Sequence, residues 1–226
     1  MQKNSKLIYL FGHNLFFDRI IKKKRFEILT VIKNKLENDE IYDALDIGTT
    51  EDDGNESSNI IIKNLKNIKI FKSISNQNIS SSFFSNSLTK SISSEFNKDE
   101  VKIFKSDLVI SSAVIEHVGS SENQLKMIKN IIKLTKKTFI ITTPNRNYPI
   151  DFHTKIPFIH WLPKNIHRQI LKLIGLKFFS KEENLNLLNK NNLKNFLNDK
   201  NIDYEIVEIK FLGFTSNFIV IGRVIS

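Results

Sequence analysis

Residues 41–65 read IYDALDIGTTEDDGNESSNIIIKNL. An apolar stretch of strand length stops at Gly48, the polar turn TTEDDGNESS follows, and Ile60, Ile61 and Ile62 open a new apolar run. Ser57 or Ser58 is placed to cap the helix that this run predicts. Strand, loop and helix in that order form the repeating unit of a doubly wound sheet, whose ligands bind beyond the carboxyl ends of the strands. The loop lacks the full G-x-G-x-x-G of dinucleotide sites and the G-x-x-x-x-G-K-[ST] of triphosphate sites.

The alternation continues on both sides. Upstream, in a helical N-terminal segment spanning 1–40, Phe17, Ile21, Ile28, Ile32 and Leu36 recur at helical spacing with Lys and Glu between them. Downstream, IKIFKSI at 68–74 predicts a strand and SLTKSIS a further one, within a Ser- and Asn-rich stretch that Phe83, Phe84, Leu88 and Phe96 mark as packed. Asp107–Ser112 predicts a buried strand. Ser121 with Gln124 forms a capping-box signature for a helix carrying Leu125, Ile128, Ile131 and Ile132 on one face. KKTFIITT is the next strand, and helices follow near 164–175 and 181–198. The runs YEIVEIKFLG and NFIVIGRVI are linked too closely through Gly213 to enclose a crossover helix, so they predict an antiparallel pair. The expectation is one α/β domain, 1–226, built on a mostly parallel sheet.

A chain of 226 residues with 40% hydrophobic content and 18 Phe has ample material for one sizeable core. There are no cysteines, which excludes disulfides, thiolate metal sites and a thiol nucleophile. The early apolar patch LIYLF is short for a signal-peptide core, and no segment approaches the roughly 20 apolar residues that span a bilayer, so a soluble, cytoplasmic protein is expected. The formal net charge is +10, yet arginine occurs only at Arg19, Arg25, Arg146, Arg168 and Arg223. Phosphate-reading surfaces lean on the bidentate guanidinium, so nucleic acid is disfavoured as a partner. The dense patch IKKKR at 21–25 leaves weak contact with an anionic membrane surface open, or is the solvated face of a helix.

The charge of the first loop constrains its ligand. Glu51, Asp52 and Asp53 lie where a dinucleotide or triphosphate would place phosphates, and like charges at that range are costly in a partly dry cleft. An adenosine-bearing ligand with an ammonium and a sulfonium in place of phosphates, such as S-adenosylmethionine (SAM), is compatible; service to the helix dipole alone is an equal alternative for the three acids. Here the motifs resemble a known family, the class I SAM-dependent methyltransferases of the small-molecule type. ALDIGTT is similar to their first motif, DLVISSAVIEHVG to their strand-four motif, and FIITTPNR to strand five and the loop after it. The resemblance covers the chain from about Tyr42 onward and implies a Rossmann-like, seven-stranded, mostly parallel sheet with an antiparallel last strand. It implies SAM as cofactor, with Asp46, Gly48 and Thr49 at its methionine end and Ser111, Ser112 and Ala113 lining the methyl-transfer pocket. Two positions depart from the pattern. Thr50 and Asp52 replace the second and third family glycines, and the acid that grips the ribose after strand two is missing from FKSISNQN, where Ser75, Asn76 or Gln77 would substitute. These departures keep open a degenerate, non-catalytic interaction protein on the same fold, and the basic stretch FFDRIIKKKR at 16–25 keeps open a protein that binds anionic membrane or nucleic acid.

The stretch IITTPNRNYPIDFHTKIPFIHWLP, 140–163, holds all four prolines and the only tryptophan. Proline fixes φ and ends helices, so this is a shaped, rigid loop, and the insertion 145–188 that it opens resembles a substrate lid over the strand rim. Asn145, Arg146, His153, His160 and Trp161 are its candidate contacts to a small-molecule acceptor. His153, His160 and His167 are spaced by seven, but Pro157 and Pro163 break the helix that would align them, so no metal site is expected. Methyl transfer requires alignment and, where the acceptor must lose a proton, a base. Glu116, His117 and His153 are the candidates. Acceptor and oligomeric state are not legible.

Overall fold

The computed structural model describes residues 15–51 and 59–225, with side chains from residue 19 onward. In chain order the elements are α1 (Leu15–Lys35), β1 (Asp43–Ile47), α2 (Ile60–Asn64), β2 (Ile70–Ser75), β3 (Asn86–Thr89), α3 (Lys98–Phe104), β4 (Ser106–Ser112), α4 (Ser121–Leu134), β5 (Thr135–Pro144), α5 (Lys164–Leu173), α6 (Lys190–Phe196), β6 (Ile202–Phe211) and β7 (Phe214–Val224). The strands form one seven-stranded sheet in the order β3-β2-β1-β4-β5-β7-β6. β1 to β5 pair in parallel, whereas β7 runs antiparallel to both its neighbours. Leu212 and Gly213, at φ 50° and 84°, make the tight turn between β6 and β7. Two successive positive-φ residues give a turn whose twist matches that of the strands it joins. The fold is the α/β, Rossmann-like, doubly wound sheet expected from the sequence.

Period-two alternation sends the strand side chains into two core layers. On one face Leu45, Ile47, Val109, Phe139 and Ile141 pack with Met127, Ile128 and Ile131 of α4. On the other, Ala44, Leu108, Ile110 and Ile140 pack with Ile28, Leu29 and Ile32 of α1 and with Ile60, Ile61 and Ile62 of α2. The layers hold the strand ends rigidly, and therefore the loops that leave them. Gly222 of β7 shows how closely this core is fitted. A Cβ at that position would lie 2.0 Å from the Phe139 ring. Gly222→Ala is expected to destabilise by about 2 kcal/mol, an overpacking cost that lowers Tm by several degrees. Thermal unfolding checks this, and Phe139→Leu added to Gly222→Ala should recover part of the loss, because residues in contact do not behave additively.

Several local expectations are corrected. The α4 N-cap is Ser120, whose side chain accepts from the Asn123 amide, so the capping pair expected at Ser121 and Gln124 sits one residue earlier. The helix expected over 181–198 is reduced to α6, because 182–184 form a turn and 185–188 run outside any helix against the turn after β4, with the Asn186 amide donating to the Glu116 carbonyl at 2.7 Å. Helix α3 was not expected; Asn97 and Glu100 cap it reciprocally. Ser57, Ser58, Asp52 and Asp53 lie outside the described residues. In the basic patch, Lys24 is committed to the fold, reaching Glu27 at 2.6 Å and the Lys210 carbonyl at 2.7 Å.

Candidate active site

The carboxyl ends of β1, β2, β4 and β5 meet at one rim. At the end of β1, Gly48 has φ 82° and its amide donates to the Ile74 carbonyl at 2.8 Å. A side chain there would be strained, and its Cβ would lie 2.3 Å from the Val114 side chain. The Thr49 hydroxyl donates to Asp46 Oδ2 at 2.7 Å. Asp46 is buried, and burial pushes its pKa up to about 7, the Thr49 hydrogen bond offsetting only part of the effect. Ser75 ties the loops together: its hydroxyl donates to the Thr49 carbonyl at 2.7 Å and accepts from the Gln77 amide at 3.1 Å. Its one proton is therefore committed. Glu51 accepts from the Ser80 amide and hydroxyl, which fixes the mouth of the loop after β2.

β4 leaves the sheet through a strained turn. Ala113 has φ 56° and is held by the carbonyl and hydroxyl of Thr142 on β5, while Ser112 shares a 2.9 Å hydrogen bond with the same hydroxyl. A non-glycine residue in the left-handed region persists only where its surroundings determine it, and such positions cluster at functional sites. Ser111 is fully buried and its hydroxyl has no hydrogen-bond partner. Two clefts flank this turn. One of about 430 Å³ is lined by Asp46, Gly48, Glu51, Asn59, Ser112 and Ala113. The other, about 310 Å³, is lined by Gly48, Thr49, Ser75, Asn76, Gln77 and His117. A larger depression of about 770 Å³ lies between Lys33, Tyr42, Asn67 and Lys137, at the opposite rim, where the strands begin. The two smaller clefts are the candidate site, because doubly wound sheets bind ligands beyond the strand ends and because the strained turn and the buried aspartate are there.

A short 3₁₀ turn, Ile115–His117, follows and places Glu116 and His117. Glu116 is fully buried; Oε2 accepts from the Thr143 hydroxyl at 3.0 Å and Oε1 has no hydrogen-bond partner. Nε2 of His117 lies 3.9 Å from that oxygen and Nε2 of His153 lies 3.8 Å from it. Both rings are anchored through Nδ1, His117 to the Asn184 carbonyl at 2.6 Å and His153 to Asp151 Oδ1 at 3.0 Å. Burial works to lower the His153 pKa, but the hydrogen bond and charge of Asp151, with the charge of Glu116, outweigh it and raise it. Burial likewise opposes the charge of Asp151, and hydrogen bonds from His153 and Thr154 prevail, holding its pKa down to about 2.

The loop after β5 carries His153 into this cluster by folding back on itself. Ile150 bridges Pro157, and the Phe158 amide donates to the Pro149 carbonyl at 2.8 Å. Arg146 donates to the carbonyls of His160 and Leu162, and both His160 Nε2 and the Trp161 indole reach the Tyr148 carbonyl. Asn145 donates to the Thr215 carbonyl. The structure thus brings Glu116, His117 and His153 together, whereas the polar groups of Asn145, Arg146, His160 and Trp161 brace the loop itself. His167, the third histidine of the seven-residue spacing, sits apart from Glu116 in a separate small cavity with Arg146, His160 and Lys164, and burial pushes its pKa down to about 4. Thr142, Thr143, Asp151 and Asn184 were missed as supporting residues. Only Asp151 left a signal, an acid two residues before a candidate histidine.

No family model and no curated protein sequence matches this chain. Solved structures do match. Magnesium protoporphyrin IX methyltransferase ChlM from Synechocystis PCC 6803, with bound SAM, matches with a TM-score of 0.53 at 11% identity, over 94% of this chain and 86% of that one. N-methyltransferase NodS from Bradyrhizobium japonicum WM9 matches with 0.51 at 10% identity, over 95% and 99%. A SAM-dependent methyltransferase from Methanosarcina mazei matches with 0.51 at 13% identity, over 86% and 97%. The chain therefore has the Rossmann-like fold of SAM-dependent methyltransferases.

Proposed function

We propose that this protein is a class I SAM-dependent methyltransferase acting on a small-molecule acceptor. The observation that carries the reading is the buried Asp46, whose carboxylate lines the cleft at the end of β1 beside Gly48 and the strained Ala113 turn. A buried carboxylate gains from a ligand that brings positive charge and loses against one that brings phosphate. SAM carries both an ammonium and a sulfonium, and it would supply an electrophilic methyl group. Asp46, Gly48, Thr49, Ser111, Ser112 and Ala113 would hold it, with Asn76 and Gln77 at the cleft that Ser75 shapes. Glu116, His117 and His153 stand on the acceptor side, where they orient it; free of a metal ion, they also take up a proton if the acceptor must lose one. Asn145, Arg146, His160 and Trp161 act by keeping the returning loop rigid, which holds His153 in place. Among the described residues no helix is long and apolar enough to cross a membrane.

Thermal shift with and without ligand tests the reading. SAM and its demethylated product are expected to raise Tm by several degrees at saturating concentration, because a ligand at 100 times its Kd stabilises the native state by about 2.7 kcal/mol. NAD and ATP are expected to give no shift. An equal response to NAD would overturn the proposal, and no response to SAM would favour a non-catalytic protein on this fold.

A further inference from the structure

We infer that Glu116, His117 and His153 form a site for a divalent transition-metal ion. One ligand atom from each of the three lies within 4.8 Å of the others. The hydrogen bonds around them determine what those atoms offer. A carbonyl and a carboxylate can only accept, so Nδ1 of His117, facing the Asn184 carbonyl, and Nδ1 of His153, facing Asp151, are the protonated nitrogens. In the neutral rings this turns both Nε2 lone pairs toward Glu116 Oε1, the buried oxygen without a hydrogen-bond partner. With both rings neutral, the form that binds a metal, three acceptors face one another, and the separations of 3.8 and 3.9 Å are too long for the hydrogen bonds that protonated rings would donate. A cation between them resolves the arrangement.

The supporting contacts have the form that metal centres use. Metal-ligating histidines donate their other ring nitrogen to a carboxylate or carbonyl, which fixes the tautomer, and here each ring has such a partner. Thr143 fixes the second Glu116 oxygen in the same way. Bonds of roughly 2.0–2.2 Å set ligand atoms about 3.3 Å apart in a tetrahedral site, so the two edges to Glu116 close by about 0.5 Å and the edge between the histidine nitrogens by up to about 1.5 Å, within reach of small side-chain rotations. Two imidazoles and one carboxylate, without sulfur, suit zinc, manganese, iron(II) or cobalt(II) better than magnesium or calcium, which prefer oxygen ligands throughout. Three protein ligands leave coordination positions open, as in catalytic sites. His117 also lines the cleft with Gly48 and Thr49. On the methyltransferase reading, on which only this role rests, those open positions face the acceptor and would bind one of its oxygen or nitrogen atoms.

The seven-residue spacing relates His153, His160 and His167, and His167 lies in a separate cavity. The ligand set that the fold assembles joins the turn after β4 to the loop after β5, and no single stretch of sequence contains it.

Cobalt(II) is a suitable probe, because its visible absorbance reports coordination directly. Titration of the metal-free full chain is expected to show one cobalt ion per chain with ligand-field bands, displaced by zinc. Glu116→Gln, His117→Gln and His153→Gln should each weaken binding on the order of 100-fold while melting curves show a folded protein, and Asp151→Asn should weaken it roughly 10- to 100-fold. His167→Gln keeps the loss of one histidine but lies outside the set, and should bind as wild type does. Absence of cobalt binding, or binding unchanged in Glu116→Gln and His153→Gln, would overturn the site and leave an imidazolium–carboxylate pair in its place. SAM titrations on the same samples keep the two proposals distinguishable. Cobalt binding without SAM binding removes the methyltransferase reading alone, and the converse removes the metal site alone.

Discussion

At pH 8, Asp46→Asn is expected to raise the melting temperature of the unliganded protein and to weaken SAM binding on the order of 100-fold. The two effects share one cause. Burial holds the Asp46 pKa near 7, above its ordinary 3.8, so between those values the folded chain binds a proton that the unfolded chain has released. Stability contributed at this position is therefore present at low pH and is lost as pH rises, the penalty being complete above about 7. About three pKa units correspond to a cost on the order of 4 kcal/mol, which the neutral amide does not incur. The gain in Tm for Asp46→Asn should accordingly shrink as pH is lowered toward 4. Asn retains an oxygen to accept from the Thr49 hydroxyl, so the local loop is conserved.

Binding has the opposite dependence. A cationic ligand draws Asp46 into its ionised form, so in the wild type SAM affinity should fall below pH 7, and binding near pH 6 should release a proton. Calorimetry in buffers of different ionisation enthalpy measures that proton. A pH-independent affinity with no proton release would place the positive end of the ligand elsewhere. The asparagine variant is a sharper test than substitution of Gly48, because a side chain at Gly48 also meets Val114 and the positive φ, and would confound folding with binding. A site that is less stable than its neutral isostere is what function at the expense of stability predicts.

The architecture was legible because it depends on local pattern. β1, β4 and β5 each carry a short apolar centre (Ala44 and Leu45; Leu108, Val109 and Ile110; Phe139, Ile140 and Ile141) followed by turn residues, which is how strands buried on both faces read. Helix α3 was missed because its signal is brief: Asn97 and Glu100 form its cap, but only Phe104 is buried. The false helix at 181–189 arose from Leu185 and Leu188, whose helical spacing coincides with burial in a non-helical segment that gives its backbone to Glu116 and His117. The site was legible residue by residue and illegible as a set. Glu116, His117 and His153 stand out as chemically capable, yet their convergence depends on Arg146 and His160 folding the proline-rich loop back, contacts that no periodicity encodes.

Asp43→Ala is expected to lower stability by about 3 to 5 kcal/mol, a fall in Tm of roughly 10 °C, while leaving SAM affinity unchanged. Asp43 begins β1 at the rim opposite the candidate site. Its Oδ2 accepts from Lys72 Nζ at 2.7 Å, its Oδ1 accepts from the Asp107 amide at 2.8 Å, and Lys136 reaches both oxygens. Lys72 is itself buried, so removal of the carboxylate leaves an ammonium in the sheet with only the Lys105 carbonyl and the Ser106 hydroxyl at 3.3 Å. The cost arises from that uncompensated charge, and Lys72→Met added to Asp43→Ala should recover much of it. The pH signature is the reverse of that at Asp46. Burial works to raise the Asp43 pKa, but Lys72, the Asp107 amide and Lys136 outweigh it and lower it below 3.8. Its contribution is therefore fully present above the ordinary carboxylate range and is lost as pH falls through the lowered value. Three residues apart on one strand, Asp43 has its charge matched by the fold and Asp46 has its charge held against the fold. Thermal melts of both variants across pH 3 to 8 separate the two, and a Tm for Asp43→Ala within two degrees of wild type at pH 7 would show that the buried pair does not hold the strand in place.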